Sequence, residues 1–269
     1  MDFPRRNLRK SSQIPAKPTS IKYEEKGLER KTHMYSETKT WNPFVGCYHR
    51  CIYCKVSFQR QLKRWAKNNC IECYNYTPHY HPERLRHIPS SKIVFVCGDG
   101  DIAFCSTTYL LRIIKRISEH EKRCPNKTYY FQSKNWEALT VRRPFDVPEI
   151  IMNNVKNAVI LETLETNRNL GYRKISNAPL PFDRNRIFSQ IIFPHKAITV
   201  EPILDFDLNP FFRMITDAEP EYVWIGYNSK PNLIHLPEPS LEQTAILIKL
   251  LKASGIQVKG KNLRGIKVE

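Results

Sequence analysis

Residues 92–133 read KIVFVCGDGDIAFCSTTYLLRIIKRISEHEKRCPNKTYYFQS. The stretch opens on an apolar, β-branched run (92–98) and crosses a glycine- and aspartate-rich turn. It continues with helical apolar spacing (107–123) and closes on a second apolar run (127–133). Short runs that are apolar throughout and flanked by polar residues belong to strands covered on both faces, as in a parallel sheet crossed by helices. The alternation recurs along the chain. NAVILET (157–163), KAITVEP (196–202) and EYVWIGY (221–227) read as further strands; VSFQRQLKRWAKN (56–68), VPEIIMNN (147–154) and PSLEQTAILIKLLKAS (239–254) read as helices. The last has Ser240 placed to cap its start and Gly255 just beyond its end. Strand–helix–strand units cross over right-handedly. The pattern therefore predicts an α/β fold, a barrel-like and mainly parallel sheet with its chemistry at the C-terminal ends of the strands.

Composition sets the outer bounds. A chain of 269 residues with 41% hydrophobic content can bury one α/β barrel-like core or two smaller ones. No apolar run approaches about 18 residues and MDFPRRNLRK (1–10) lacks the apolar stretch of a signal peptide, so a cytoplasmic, non-membrane protein is expected. In that setting eight cysteines read as reduced thiols or metal ligands rather than a disulfide framework. A net charge of +17 and a pI near 9.6 favour polyanions, with nucleic acid the default partner. The scarcity of glycine beside abundant lysine, isoleucine and asparagine fits a base-biased genome equally well. Residues 1–40, basic and punctuated by Pro4, Pro15 and Pro18, read as a partly extended arm, and residues 41–269 as the folded body.

Within GCYHRCIYCK (46–55), Cys47, Cys51 and Cys54 follow C-x3-C-x2-C on a predicted loop after the first strand. A structural zinc site takes four protein ligands, whereas a cubane iron–sulfur cluster held by three thiolates keeps one iron open. The alternative is a zinc site completed by a distant cysteine or histidine. With Tyr53 before its last cysteine, the motif resembles the radical S-adenosylmethionine superfamily. Ordered blocks extend the resemblance over roughly residues 40–265: TWNPFVGC, VFVCGDGDIAF, YYFQSKN, LETLETN, ITVEPILDFD, VWIGYNSK and KGKNLRG. Together they are similar to small members related to spore photoproduct lyase and to uncharacterised phage-encoded proteins. The resemblance implies a partial (βα)6 TIM-like barrel and a [4Fe-4S] cluster on the three cysteines. It also implies S-adenosylmethionine as cofactor, a 5′-deoxyadenosyl radical as product, and a reductant such as a ferredoxin or flavodoxin.

The resemblance also nominates cofactor contacts. CGDGD (97–101) stands where the superfamily often has GGE, which makes Asp99 and Asp101 candidates for the S-adenosylmethionine ammonium; aspartates binding their own backbone in a tight turn is the plain alternative. Ser133, Glu162, Glu165 and Glu201 are polar at the ends of apolar runs. Glu162 and Glu165 are candidates for ribose hydroxyls, and Glu201 either for the same role or for a buried pair with Lys134. A second group, Cys70 and Cys73 with His79 and His81, forms C-x2-C…H-x-H in an insertion at about 69–90. It reads as a zinc site, as a tyrosine-rich packing insertion, or as a thiol that donates a hydrogen atom. Cys97 reads as a buried small hydrophobe, and Cys105 as the more reactive candidate, a possible catalytic thiol. Relatives that repair DNA, together with basic QRQLKRWAK (59–67), point to a radical enzyme repairing or modifying DNA or RNA. The rivals are a noncatalytic zinc-stabilised nucleic-acid-binding protein and a radical enzyme for a small metabolite or peptide.

Overall fold

A computed structural model describes residues 38–142 and 144–268. The predicted arm lies outside the described residues up to residue 37; residues 38–40 belong to the first strand instead. The chain runs through β1 (Thr38–Trp41), β2 (Phe44–Val45), α1 (Ile52–Val56), α2 (Phe58–Ala66), α3 (Ile71–Asn75) and β3 (His79–Tyr80) before β4 (Ile93–Val96). Strand and helix then alternate strictly: α4 (Thr107–Glu121), β5 (Thr128–Ser133), α5 (Val147–Asn154), β6 (Ala158–Thr163), α6 (Pro181–Gln190), β7 (Lys196–Val200), α7 (Leu208–Asp217), β8 (Tyr222–Gly226), α8 (Leu241–Ala253) and β9 (Gln257–Lys261).

Seven strands pair in parallel in the order β1-β4-β5-β6-β7-β8-β9, while β2 and β3 form a separate antiparallel pair. Each strand is added beside its predecessor, so successive right-handed crossovers advance in one direction and place their helices on one face. The sheet curls into a half-barrel. On its convex side Val94, Phe131, Ile160, Ile198 and Val223 share the main core with Ile113 and Ile117 of α4, Phe188 of α6 and Leu247 of α8. The concave side carries a smaller cluster built from strand residues alone, including Phe95, Tyr130, Leu161, Ala197 and Trp224. Both sheet faces are thus buried, which is why β6, β7 and β8 are buried at every position and read as apolar runs.

Differences from the sequence expectations have local causes. The helix expected over 56–68 breaks at Ser57, whose backbone is non-helical and whose hydroxyl donates to the Tyr53 carbonyl at 2.8 Å. Helices α6 and α7 escaped detection because α6 turns Arg184 and Asn185 inward and α7 carries Pro210 in its first turn, which blurs the apolar period. No described helix is long and apolar enough to cross a membrane.

Candidate metal and cofactor site

The three cysteines of the C-x3-C-x2-C motif reach the C-terminal rim of the sheet because two loops are laced together. Gly46, at φ +104°, donates its N–H to the Asp99 carbonyl at 3.1 Å and accepts from the Asp101 N–H at 3.3 Å. A side chain at residue 46 would lie 2.4 Å from the Thr77 carbonyl carbon, so glycine alone fits there. This join sets Cys47 beside the turn that follows β4. Cys51 stands at the N-terminus of α1 and Cys54 within it. All three line one cavity of about 650 Å³ at the strand ends, a size suited to a small-molecule cofactor.

Charge is distributed unevenly among the thiols. A hydrogen bond from Cys54 lowers the Cys51 pKa well below the ordinary thiol value against the opposing effect of burial, with the Lys134 ammonium adding to the lowering. Lys134 Nζ lies 3.6 Å from Cys51 Sγ. Cys54 moves the other way, first through the same hydrogen bond and then through burial, and burial raises Cys47 as well. The proton shared by Cys51 and Cys54, with the Lys134 ammonium beside them, favours a thiolate in this pair, the form that binds metal.

Asp99, Asp101, Ser133 and Glu201 all line the cavity. Asp101 is a latch: its oxygens accept four hydrogen bonds, from Ser133 Oγ (2.7 Å), Lys134 N (2.9 Å), Ala103 N (2.9 Å) and His49 Nε2 (3.1 Å). Burial would raise its pKa, yet these bonds hold it below the usual carboxylate range. The expectation that Asp101 meets a cofactor ammonium is therefore corrected, because its oxygens are already occupied. Asp99 Oδ2 accepts from Asn42 at 2.7 Å, and Oδ1 has no hydrogen bond among the described residues; burial raises its pKa. Glu201 pairs with Lys261 at 2.7 Å across the place kept open by Gly226, rather than with Lys134.

Two glutamates fall elsewhere. Glu162 points to the convex, helix-covered side and Glu165 lies behind the cavity wall; both are fully buried, and neither lines the cavity. The ribose role expected of Glu162 is corrected by strand parity: on β6 the concave side shows Leu161 and Thr163, so Glu162 faces away; that expected of Glu165, which lies beyond the strand, is corrected by its buried partners. Glu165 instead accepts from Lys134, Arg184 and the Tyr53 hydroxyl. Glu162 has no hydrogen bond among the described residues, and its nearest cation is Arg184 Nε at 3.8 Å. Burial outweighs that cation and pushes the Glu162 pKa up to about 8. The folded state thus binds a proton that the unfolded chain releases near its ordinary 4.5, so stability falls as pH rises between the two values. Glu162→Gln is accordingly expected to raise the melting temperature more at pH about 8 than at pH about 5. An equal shift at both would mean that Glu162 folds ionised. Cys105, the proposed catalytic thiol, is also corrected: it packs in the convex-side core and does not line the cavity.

Two site residues, His49 and Gln132, carried no clear sequence signal, whereas Lys134 stands out in the sequence as a polar residue at the end of an apolar run. His49, inside the cysteine motif, is buried and paired with Asp101, and a ligand atom from each of Cys47, His49 and Asp101 lies within 4.8 Å of the other two. Gln132 donates to Thr163 Oγ1 and, at 3.0 Å, to Thr199 Oγ1, forming a polar floor on the concave face. Lys134 stands over the Tyr53 ring, its Nζ 4.8 Å from the ring centroid.

The second group assembles as well. Ligand atoms of Cys70, Cys73, His79 and His81 all lie within 4.8 Å of one another, a donor set able to hold a metal ion. The chain matches no known protein-family model and no curated protein.

Proposed function

We propose that this chain is a radical S-adenosylmethionine enzyme on a partial (βα)6 barrel, with Cys47, Cys51 and Cys54 holding a [4Fe-4S] cluster. One observation carries the reading: three thiols of a C-x3-C-x2-C loop converge on a single cavity of about 650 Å³ at the C-terminal ends of parallel strands. The donor set fits the group. Three thiolates satisfy all but one iron of a cubane, and the nearest further donors, His49 and Asp101, are bonded to each other at 3.1 Å. Bound there, such a cluster would supply the single electron for cleaving S-adenosylmethionine to methionine and a 5′-deoxyadenosyl radical.

The chain's own residues do the positioning. Asp99, whose Oδ1 has no hydrogen bond among the described residues, lines the cavity and is assigned to the cofactor ammonium. Glu201, steadied by Lys261, is assigned to hydroxyl groups. Lys134 supplies positive charge beside Cys51 and is itself neutralised from behind by Glu165.

DNA or RNA is the proposed substrate class. Phe58 and Gln61 of α2 line the cavity, and the same helix exposes Arg60, Lys63 and Arg64 beside it. Trp65 is half exposed, with the Arg84 guanidinium 5.7 Å from its ring, an arrangement that suits stacking against a base beside a phosphate-binding face. Anaerobic protein given reductant and S-adenosylmethionine is expected to release 5′-deoxyadenosine, faster when a matching oligonucleotide is present. A purified chain that holds zinc, no iron and still binds oligonucleotides would favour the noncatalytic reading. Turnover without any salt-sensitive oligonucleotide binding would move the substrate to a metabolite or peptide.

A further inference from the structure

In the knuckle between α2 and β4, two thiols and two imidazoles converge. Cys70 Sγ and Cys73 Sγ each lie 3.3 Å from His79 Nε2, Cys73 Sγ lies 3.2 Å from His81 Nε2, and the two Nε2 atoms are 2.8 Å apart. Bonds of about 2.0–2.1 Å to nitrogen and about 2.3 Å to sulfur give a tetrahedron with edges of roughly 3.3–3.8 Å, slightly wider than these separations. Both imidazoles turn the same nitrogen inward. Their outer nitrogens are engaged, His79 Nδ1 with the Thr77 carbonyl at 2.7 Å and His81 Nδ1 with Glu83 Oε1 at 2.9 Å. A carbonyl or carboxylate behind each ring favours the Nδ1–H tautomer, which leaves each Nε2 free to bind a metal ion among the two thiols.

We infer that Cys70, Cys73, His79 and His81 bind one structural zinc ion that clamps the strand leading into Cys47. Two thiolates and two imidazoles in a closed set leave no position for a substrate, which distinguishes a structural ion from a catalytic one. The knuckle needs such a staple because its own apolar cluster is small: Val45, Ala66 and Cys73 are buried there, with only Leu62 and Cys70 packed against them. The clamp acts on the cysteine loop directly. β3 pairs Tyr80 with Phe44 and His79 with Val45, His81 N–H donates to the Pro43 carbonyl at 2.7 Å, and Cys47 N–H donates to the Tyr76 carbonyl at 3.4 Å. Tyr76, between the cysteine and histidine halves of the knuckle, also lines the cavity.

The donors are separate from Cys47, Cys51 and Cys54, so this inference stands or falls apart from the proposed enzyme function. Metal analysis of the full chain should find stoichiometric zinc, retained when Cys47, Cys51 and Cys54 are all alanine and reduced to background in a C70S/C73S variant. Zinc absent from the unaltered chain, or persisting in C70S/C73S, overturns the site. Where that variant does not accumulate, cobalt exchanged into the chain with Cys47, Cys51 and Cys54 replaced by alanine decides. Intense tetrahedral d–d bands with thiolate-to-cobalt charge transfer support the site, and weak octahedral bands overturn it. Stripping zinc should accelerate amide exchange across residues 44–47 and leave α8 unchanged; unchanged exchange at 44–47 overturns the clamp.

Discussion

Replacement of Cys47, Cys51 and Cys54 by alanine is expected to abolish both the brown visible absorption of the anaerobically purified protein and its release of 5′-deoxyadenosine. Each thiol is separately required, because a cubane on three protein ligands has no spare donor. Two controls give the experiment its discrimination. His49→Ala removes the nearest additional metal donor and is expected to keep the visible band, since His49 is hydrogen-bonded to Asp101. Cys105→Ala alters a thiol in the convex-side core and is expected to keep both band and product. A band that survives the triple substitution would end the iron–sulfur reading. A band lost equally in His49→Ala would identify His49 as a fourth ligand and close the open iron.

The largest effect on stability is expected at Glu165. Its carboxylate is fully buried and accepts from Lys134, Arg184 and the Tyr53 hydroxyl, with the Tyr172 hydroxyl 3.2 Å from each of its oxygens. Burial would raise its pKa, but Arg184 and then Lys134 overcome that and hold it down to about 2. Glu165→Gln keeps the shape, removes the charge and leaves two buried cations behind the cysteine loop. Loss of one member of a buried ion pair costs about 3–5 kcal/mol, readable as a lowered urea midpoint.

The pH dependence follows in sign. A carboxyl whose folded pKa lies below its unfolded value of 4.5 stabilises fully above that value, and the contribution disappears as pH falls through about 2. The wild-type advantage over Glu165→Gln should therefore shrink on acidification. Glu162 complicates the magnitude in a testable way. The Glu165 charge helps to keep Glu162 protonated, so removing it lets Glu162 ionise beside Arg184 and recover part of the loss. The double variant Glu162→Gln/Glu165→Gln should consequently lose more stability than the two single changes added together. Strict additivity would show that the two carboxyls are independent.

The strands and α8 were legible because their signals are local. Apolar runs such as NAVILET and KAITVEP mark strands covered on both faces, and Ser240 does cap α8, accepting from the Gln243 N–H at 3.1 Å. The same property concealed the site. A strand buried on both sides has no polar alternation, so nothing in LETLE tells which glutamate faces the cavity, and the answer proved to be neither. β9 escaped notice because QVKGK places lysines on the rim of the half-barrel, where Lys261 meets Glu201.

What the amino-acid order determined by itself was the alternation of strands and helices, the C-x3-C-x2-C loop and the Cys/His pairing pattern of residues 70–81, since each depends on spacing between near neighbours in the chain. Only the tertiary structure decided that Asp101 is consumed as a latch, that Lys134 pairs with Glu165, and that two loops interlock at Gly46 to bring Cys47 to the strand ends. Those outcomes depend on which residues parallel crossovers carry to within a few ångströms across 30 to 80 positions of sequence, a distance over which no local pattern carries information.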